Sequence, residues 1–182
     1  RALGPGQVRF GNDPDRFAQL VDGAADSLRA LPADAVLGVA PHSLRAVAPA
    51  DLAPLAALRP DAPIHMHLAE TLAEVDEVRT HLGARPVDWV LANLPLSDRW
   101  CLIHLTQMTP AETLSLAPTG AIAGLCPLTE ASLGDGIFDG LRWLGAGGAL
   151  ALGSDSNIRI SLAEELRQLD TSQRLRDHSR AA

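Results

Sequence analysis

The sequence has 182 residues, 47% hydrophobic and 20% charged, which is the size and composition of one globular domain or of part of one. Acidic residues outnumber basic residues by 22 to 15, and the net charge of −7 argues against a nucleic-acid partner and against an anionic membrane surface. All 15 basic residues are arginine, so a lysine Schiff base and a P-loop lysine are excluded within this chain. The two cysteines form no disulfide framework and favour a reducing, cytoplasmic compartment.

Short apolar runs alternate with amphipathic helical patterns along the chain. Three Thr/Ser-x-x-Glu spacings, at 71–74, 109–112 and 161–164, predict capping boxes at helix starts. In chain order the sequence predicts a helix after Asn12-Asp13-Pro14, a strand at 36–40, a short helix after Pro49, a strand at 64–68, helices after Thr71 and Pro86, a strand at 100–104, a helix after Thr109, a strand at 121–126, a helix at 138–144, a strand at 150–153 and a last helix after Ser161.

Continuous apolar strands separated by helices predict the α/β class, with a parallel sheet covered by helices. Two arrangements fit this pattern: an open doubly wound sheet, or part of a (β/α)₈ TIM barrel. A complete barrel needs about 250 residues and eight strands. The five predicted β/α units would supply part of one, so we expect an incomplete barrel with an exposed inner face.

Ionisable residues cluster where the predicted strands end, at His42, His67, Glu70, His104 and Asp155. In parallel β/α folds the carboxyl ends of the strands carry the active site, so these side chains are expected to converge. Imidazole and carboxylate are ligands that suit Zn²⁺. One hypothesis is therefore that His67 and Asp155 bind a metal, while Glu70 moves a proton and His104 hydrogen-bonds the reacting water.

Other roles remain open for the same residues. His65 and His67 share one face of a strand, so spacing does not decide which of them is the ligand. The alternatives are a hydrogen-bonded core histidine at His104, a helix cap at Asp155, first-turn helix charge at Glu70 and a packed core thiol rather than a nucleophile at Cys126.

Several motifs follow these strand ends in a fixed order. His67-Leu68-Ala69-Glu70, then the strand ending at His104, then Gly153-Ser154-Asp155-Ser156 resemble the strand-5, strand-6 and strand-8 signatures of the amidohydrolase superfamily, in its deaminase branch. A narrower resemblance, to the formimidoylglutamate deiminases, covers nearly the whole chain. It rests on residues 41–47, 83–87, 99–102, 120–127, 130–138 and 173–177.

The resemblance implies that residues 1–182 are the C-terminal portion of a metal-dependent hydrolase barrel whose first strands are missing. It implies one zinc ion per active site and hydrolysis of a small molecule, N-formimidoyl-L-glutamate, to N-formyl-L-glutamate and ammonia in histidine degradation. It also makes a homodimer a candidate assembly.

The resemblance also implies a role for each candidate residue. Glu70 would carry a proton from the activated water to the leaving nitrogen, and His104 would steady the attacking hydroxide. A guanidinium can bind a glutamate carboxylate with two parallel hydrogen bonds, in the bidentate geometry. The implied zinc ligands are His67 and Asp155, and the implied substrate-binding residues are His42 and Arg45.

The sequence departs from the family pattern at three points. The first-strand His-x-His pair has no counterpart here, Asn157 stands where a histidine is expected, and Thr106-Gln107 differs from the expected pair after His104. Two alternatives follow. The chain could belong to a related deaminase with another small polar substrate, or it could be an inactive fragment without the first-strand zinc ligands.

Overall fold

The computed structural model describes residues 4–180, which contain one sheet of four parallel strands. Two of the predicted strands are confirmed to the residue, and two are confirmed with each end shifted by one residue. The strands are β1 (Ile64–Leu68), β2 (Trp100–His104), β3 (Ile122–Leu125) and β4 (Ala149–Leu152).

The strand predicted at 36–40 is wrong as a regular strand. Two isolated parallel bridges, Val39 with Ile64 and Ser43 with His67, join this part of the chain to β1. Pro41 lies between the bridges and has no backbone N–H to donate, so the ladder is interrupted there. The segment still runs beside β1 and holds residues 42–45 near its carboxyl end.

The order of the strands decides between the two predicted arrangements. The strands are hydrogen-bonded in the order β1-β2-β3-β4, the same as their order in the sequence. A doubly wound sheet reverses its strand order at a switch point, whereas right-handed crossovers without a reversal leave the helices on one face. The order is therefore that of a partial (β/α)₈ barrel, which confirms the predicted fold class.

The two faces of the sheet differ in burial. On β1 the three residues Ile64, Met66 and Leu68 are at most 1% exposed, whereas His65 and His67 lie on the opposite face. The register places Ile103 beside His67. On the edge strand β4 exposed and half-buried residues alternate, as expected for the inner face of an incomplete barrel.

The hydrophobic core lies between the outer face of the sheet and the helices. Trp143 is fully buried there, and its indole N–H donates to the Ala149 carbonyl at 2.9 Å while its ring meets Phe138 edge-on. The hydrogen bond joins the helix that precedes β4 to the first residue of β4. The largest fully buried side chains besides these include Trp100, Leu52, Leu102, Leu105, Leu116 and Leu125.

The helices confirm most of the predicted starts. One helix, at 127–133, was not predicted, because Pro127 and the short apolar pattern after β3 resemble a loop. No helix within residues 4–180 is long and apolar enough to cross a bilayer. The helices are α1 (Pro14–Leu28), α2 (Pro49–Ala57), α3 (Leu72–Leu82), α4 (Pro86–Asn93), α5 (Pro110–Leu116), α6 (Pro127–Leu133), α7 (Gly140–Gly145) and α8 (Leu162–Asp177).

Only one of the three predicted capping boxes forms completely. At α5 the Thr109 hydroxyl accepts from the Glu112 N–H, and the Glu112 carboxylate accepts from the Thr109 N–H in return. The capping box predicted for α8 is wrong, because the Ser161 side chain makes no capping hydrogen bond. At α3 the threonine caps as predicted, but the glutamate bonds elsewhere, at the end of β1.

Replacing Gly124 by alanine should lower the free energy of unfolding by about 1–3 kcal/mol, the usual effect of overpacking. A Cβ at this position would lie 2.6 Å from the Ile103 Cδ1 and 2.8 Å from the Cys101 Sγ on the neighbouring strand. Denaturant unfolding of the full-length protein measures the loss. Gly23→Ala is the matched control, because a Cβ on that helical glycine meets open space and should stabilise by about 0.5–1 kcal/mol. Equal effects of the two substitutions would contradict the packing argument.

Candidate active site

The backbone is strained where the strands end. Of the six non-glycine residues with positive φ in residues 4–180, five lie at the end of β2 or shortly after the ends of β1, β2 and β4. Such conformations cost about 1–3 kcal/mol each and persist only where the surrounding structure holds them, as active sites often do. The five are Ala69, His104, Leu105, Asp155 and Asn157.

The strained exit of β2 determines where His104 points. By strand alternation His104 would share the face of its register partner Leu68, which is buried beneath the helices. At a φ of 76° the chain leaves the strand geometry. The His104 ring instead lies 5.6 Å from the His67 ring, measured between centroids. The turn therefore brings both imidazoles to one side.

Three histidine rings form a row. His42 stacks on His67 with centroids 4.7 Å apart, and His67 is followed by His104. The His67 Nδ1 lies 2.9 Å from the His42 carbonyl oxygen. Because a carbonyl only accepts, Nδ1 carries the hydrogen, and in the neutral form of the ring Nε2 keeps its lone pair. His65, two residues earlier on the same face, makes no ring contact within this row.

Glu70 lies between a cation and an imidazole. Its Oε2 is 3.2 Å from the Arg45 Nη2, and its Oε1 is 3.7 Å from the His104 Nε2. The Thr106 hydroxyl donates to the Glu70 carbonyl at 2.5 Å. Glu74 is fully buried, and its carboxylate accepts from the N–H groups of Ala69 (3.2 Å) and Glu70 (2.8 Å). The backbone of Glu70 is thus held from both sides while its carboxylate faces the site.

Asp155 is exposed in the turn after β4, and its charge acts on the same site. Burial alone would lower the pKa of His104, but the hydrogen bond to Glu130 and the charges of Glu70, Glu130 and Asp155 outweigh it and raise that pKa. Asp155 is therefore within electrostatic range of His104. The structure places the His67 ring next to the rings of both His42 and His104 and places Glu70 next to His104, while Asp155 lies after β4, two strands away from β2.

The donor set here fits a zinc ion. His67 offers its second ring nitrogen, Nε2, and Asp155 offers a carboxylate, and imidazole and carboxylate are both ligands that zinc takes in catalytic sites. The His42 carbonyl orients the His67 ring in the way that outer-shell partners orient zinc-binding histidines. Two protein ligands are fewer than the three that catalytic zinc sites commonly use.

Glu130 also belongs to this site, although no sequence pattern predicts a role for it. Its carboxylate Oε1 lies 3.1 Å from the His104 Nδ1 and accepts from the Cys126 N–H at 2.8 Å. The residue is 4% exposed. A first-turn glutamate after a strand is ordinarily a solvated helix charge, so only its place in the motif 130–138 could have drawn attention to it.

The cysteine beside Glu130 is a packed thiol, as predicted. Burial, then the charges of Glu130, Asp155 and Glu165, raise the pKa of Cys126 to about 12. The sulfur is protonated at neutral pH and is a poor nucleophile. Donor atoms of His104, Cys126 and Glu130 lie within 4.8 Å of one another, but the His104–Glu130 hydrogen bond already uses two of them.

Comparison with known proteins identifies close relatives. The sequence pattern of the Amidohydrolase family matches residues 9–181. A formimidoylglutamate deiminase from Pseudomonas aeruginosa is 46% identical over 176 residues, which cover 96% of this chain. The solved structure of an amidohydrolase from Brucella melitensis has 51% identity and a TM-score of 0.95 over 98% of the chain.

A more distant structure carries the metal. An adenosine deaminase from Xanthomonas campestris, solved with bound zinc, has 25% identity and a TM-score of 0.82 over 91% of this chain. In each case the chain spans only part of the relative: 38% of the Pseudomonas protein, 40% of the Brucella protein and 38% of the Xanthomonas protein.

Proposed function

Because the chain belongs to the amidohydrolase family, we propose that it forms part of a zinc-dependent enzyme that hydrolyses N-formimidoyl-L-glutamate to N-formyl-L-glutamate and ammonia. The observation that carries the proposal is the position of Glu70. Its carboxylate lies between Arg45 and His104, and the His104 ring in turn lies 5.6 Å from the His67 ring. The similarity to the Pseudomonas deiminase supports the choice of substrate and a place in histidine degradation.

His67 and Asp155 are the residues of this chain that would hold the zinc. When bound, zinc acts as a Lewis acid and makes water a better nucleophile at neutral pH. The family resemblance assigns further ligands to a first-strand His-x-His pair that has no counterpart in residues 1–182. The isolated chain should accordingly hold zinc weakly.

Glu70 carries the proton in the proposed reaction. Water attacks the formimidoyl carbon and passes one proton to the Glu70 carboxylate, while a C–O bond forms. Glu70 gives that proton to the terminal imino nitrogen, which becomes an amino group as the C=N π pair moves onto it. Glu70 then takes the second water proton from the new hydroxyl and passes it to the same nitrogen, so the C–N bond breaks with its electron pair on ammonia as the formyl C=O forms. The His104 Nε2 faces the same space as Glu70 and accepts a hydrogen bond from the attacking water, which holds that water toward the formimidoyl carbon.

Arg45 and His42 would bind the glutamate part of the substrate. Arg45 uses a single nitrogen, Nη2, toward Glu70 at 3.2 Å and toward Glu74 at 3.8 Å. Its guanidinium has five N–H donors, so it keeps donors for a substrate carboxylate. Desolvation, then the charges of His67 and Arg45, lower the pKa of His42 against the opposing charge of Glu70. A neutral His42 can add a directional hydrogen bond.

The surroundings of the site suit a small-molecule hydrolase of the cytoplasm. The net charge of −7 would repel nucleic acid, and the charged side chains of Arg45 and Glu70 at the strand ends suit a small polar substrate. Cys101 and Cys126 are both buried free thiols, which supports a reducing compartment.

Kinetics on two substrates test this function. The full-length protein should release ammonia from N-formimidoyl-L-glutamate, and Arg45→Ala should lower kcat/KM for it by about 10–100-fold, the effect of one charged hydrogen bond of about 1.5–3 kcal/mol. The uncharged diamide of the same compound should be affected less than about threefold, because it has no carboxylate for Arg45 to bind.

Arg79→Ala is the control for that experiment. Arg79 is an exposed arginine that pairs with Asp76 on the outside of α3, and its removal should leave both substrates unaffected. Equal losses on the acid and the diamide would favour a related deaminase with a different small polar substrate. No release of ammonia by the full-length protein from either compound would reject the proposed function.

A further inference from the structure

A buried carboxylate supports the far side of the His104 ring. The Glu130 Oε1 is 3.1 Å from the His104 Nδ1, while the His104 Nε2 faces Glu70 on the opposite side of the ring. Glu130 is 4% exposed and His104 is 1% exposed. Glu130 is therefore a buried group at the opposite ring nitrogen from Glu70.

We propose that Glu130 is a positioning residue, whose carboxylate holds His104 with a hydrogen on Nδ1 and with Nε2 directed at the reacting groups. The inference rests on the proposed function, since it assigns Glu130 a task in that reaction. It adds a residue of α6 to a site otherwise built from residues 42–45 and the ends of β1, β2 and β4.

The hydrogen bond determines which ring nitrogen carries the proton. An ionised carboxylate only accepts, so the contact at 3.1 Å requires a hydrogen on Nδ1. The distance from Nε2 to the Glu70 Oε1 is 3.7 Å, which is longer than a hydrogen bond. In neutral His104, Nε2 then keeps a lone pair that can bond a water or a polar substrate atom.

Without Glu130 the ring would lose this preference. Glu70 is the other carboxylate beside His104, and it would favour a hydrogen on Nε2 instead. The strained φ of 76° that turns His104 toward His67 persists only where surrounding contacts hold it, and the bond to Glu130 is one such contact. A fixed acceptor behind the ring thus sets both the tautomer and the orientation of His104, as outer-shell carboxylates do for catalytic histidines.

Glu130 is itself held rigidly. Its Oε1 accepts from the Cys126 N–H at 2.8 Å, which anchors the carboxylate to the residue that begins α6. The Leu128 N–H donates to Glu165 of α8 at 2.9 Å. The Thr129 hydroxyl bonds the Ser154 carbonyl at 3.2 Å, in the turn that carries Asp155. Glu130 is thus bonded to the start of α6, and its neighbours Leu128 and Thr129 join α6 to α8 and to the turn after β4.

Three variants of the full-length protein test the inference. Glu130→Ala should lower kcat for ammonia release about 10–100-fold, with KM changed less than about threefold, because a misplaced His104 weakens the transition state rather than substrate binding. Glu130→Gln should recover most of the loss, since its amide oxygen can accept the same two hydrogen bonds. Glu130→Asp keeps the charge but withdraws it by one methylene, and should behave like the alanine variant.

Imidazole ¹⁵N NMR at a fixed pH supplies a readout that does not depend on activity. His104 should show the Nδ1–H form in the native protein and in Glu130→Gln, and a mixture of forms in Glu130→Ala and Glu130→Asp. Because Glu130→Asp preserves the buried charge, it keeps the test decisive if the alanine variant fails to fold. An unchanged His104 signal in Glu130→Asp, together with native kcat, would overturn the inference.

A double-mutant cycle separates positioning from general stability. In a His104→Asn background, Glu130→Ala should cause no further loss of kcat if Glu130 acts through His104, and an additive loss would contradict the proposal. Glu112→Ala is the matched control, because Glu112 is a buried first-turn glutamate that pairs with Arg85 instead. It should cost stability but leave kcat unchanged. If the native protein released no ammonia, the proposed function would fail, while the NMR signal would still report the Glu130–His104 contact.

Discussion

Replacing Glu70 by glutamine should lower turnover by about 10²–10⁴-fold, the range attributed to a lost general acid–base. The amide has the same shape as the carboxylate but cannot accept a proton from water or pass one to the leaving nitrogen. Zinc should stay bound, because His67 and Asp155 are unchanged. Steady-state ammonia release and metal analysis of the same full-length samples measure the two outcomes.

The geometry predicts that the effect of this substitution lies in kcat. The Glu70 backbone is held by Thr106 and Glu74, so glutamine should occupy the same position between Arg45 and His104. Glu77→Gln is the control, because Glu77 lies in α3 outside this site. It should leave turnover within about twofold, as most substitutions away from a site do. Undiminished activity in Glu70→Gln would remove Glu70 from the mechanism.

Replacing Asp155 by asparagine should abolish most zinc binding and lower activity by about 10³-fold or more, because a metal supplies several kcal/mol of transition-state stabilisation. The substitution separates the two roles that the sequence leaves open. Asparagine tolerates the positive φ of 46° and caps helices as well as aspartate does, so a structural role would survive it. A ligand role would not, because the negative charge is lost.

A neighbouring residue provides the control for the zinc measurement. Asn157 lies in the same turn with a φ of 54°, and its side chain accepts from the Ser154 hydroxyl. Asn157→Gly suits that conformation and should retain zinc, which shows that disturbance of the turn alone does not release the metal. Full zinc content in Asp155→Asn would reduce Asp155 to a turn residue.

The local features of the fold could be predicted from the sequence where one segment contains the whole signal. The apolar run 64–68 and the run ending at His104 are bounded by polar and turn residues, and both strands have the predicted ends. The capping box at Thr109 also forms, because both partners lie within one helical turn. The clustering of ionisable residues after the strands predicted the edge of the sheet at which they meet.

Predictions failed where a side chain had a choice of partner. Glu74 has the spacing of a capping box, but the strained turn after β1 offers it the N–H groups of Ala69 and Glu70 instead. The run 36–40 has the composition of a strand, but Pro41 and the course of the chain beside β1 leave two bridges. In both cases the residues that decide the outcome lie outside the short segment that carries the sequence pattern.

By itself the sequence determined the α/β class, the ends of two strands and the set of polar residues at the strand ends, because hydrophobic periodicity and capping act over a few neighbouring residues. Only the tertiary structure decided that the strands follow one another without reversal, that His104 turns toward His67, and that Glu130 lies behind it. These arrangements depend on crossover handedness, on a positive φ at a strand end and on contacts between residues 26 positions apart, which no local pattern encodes.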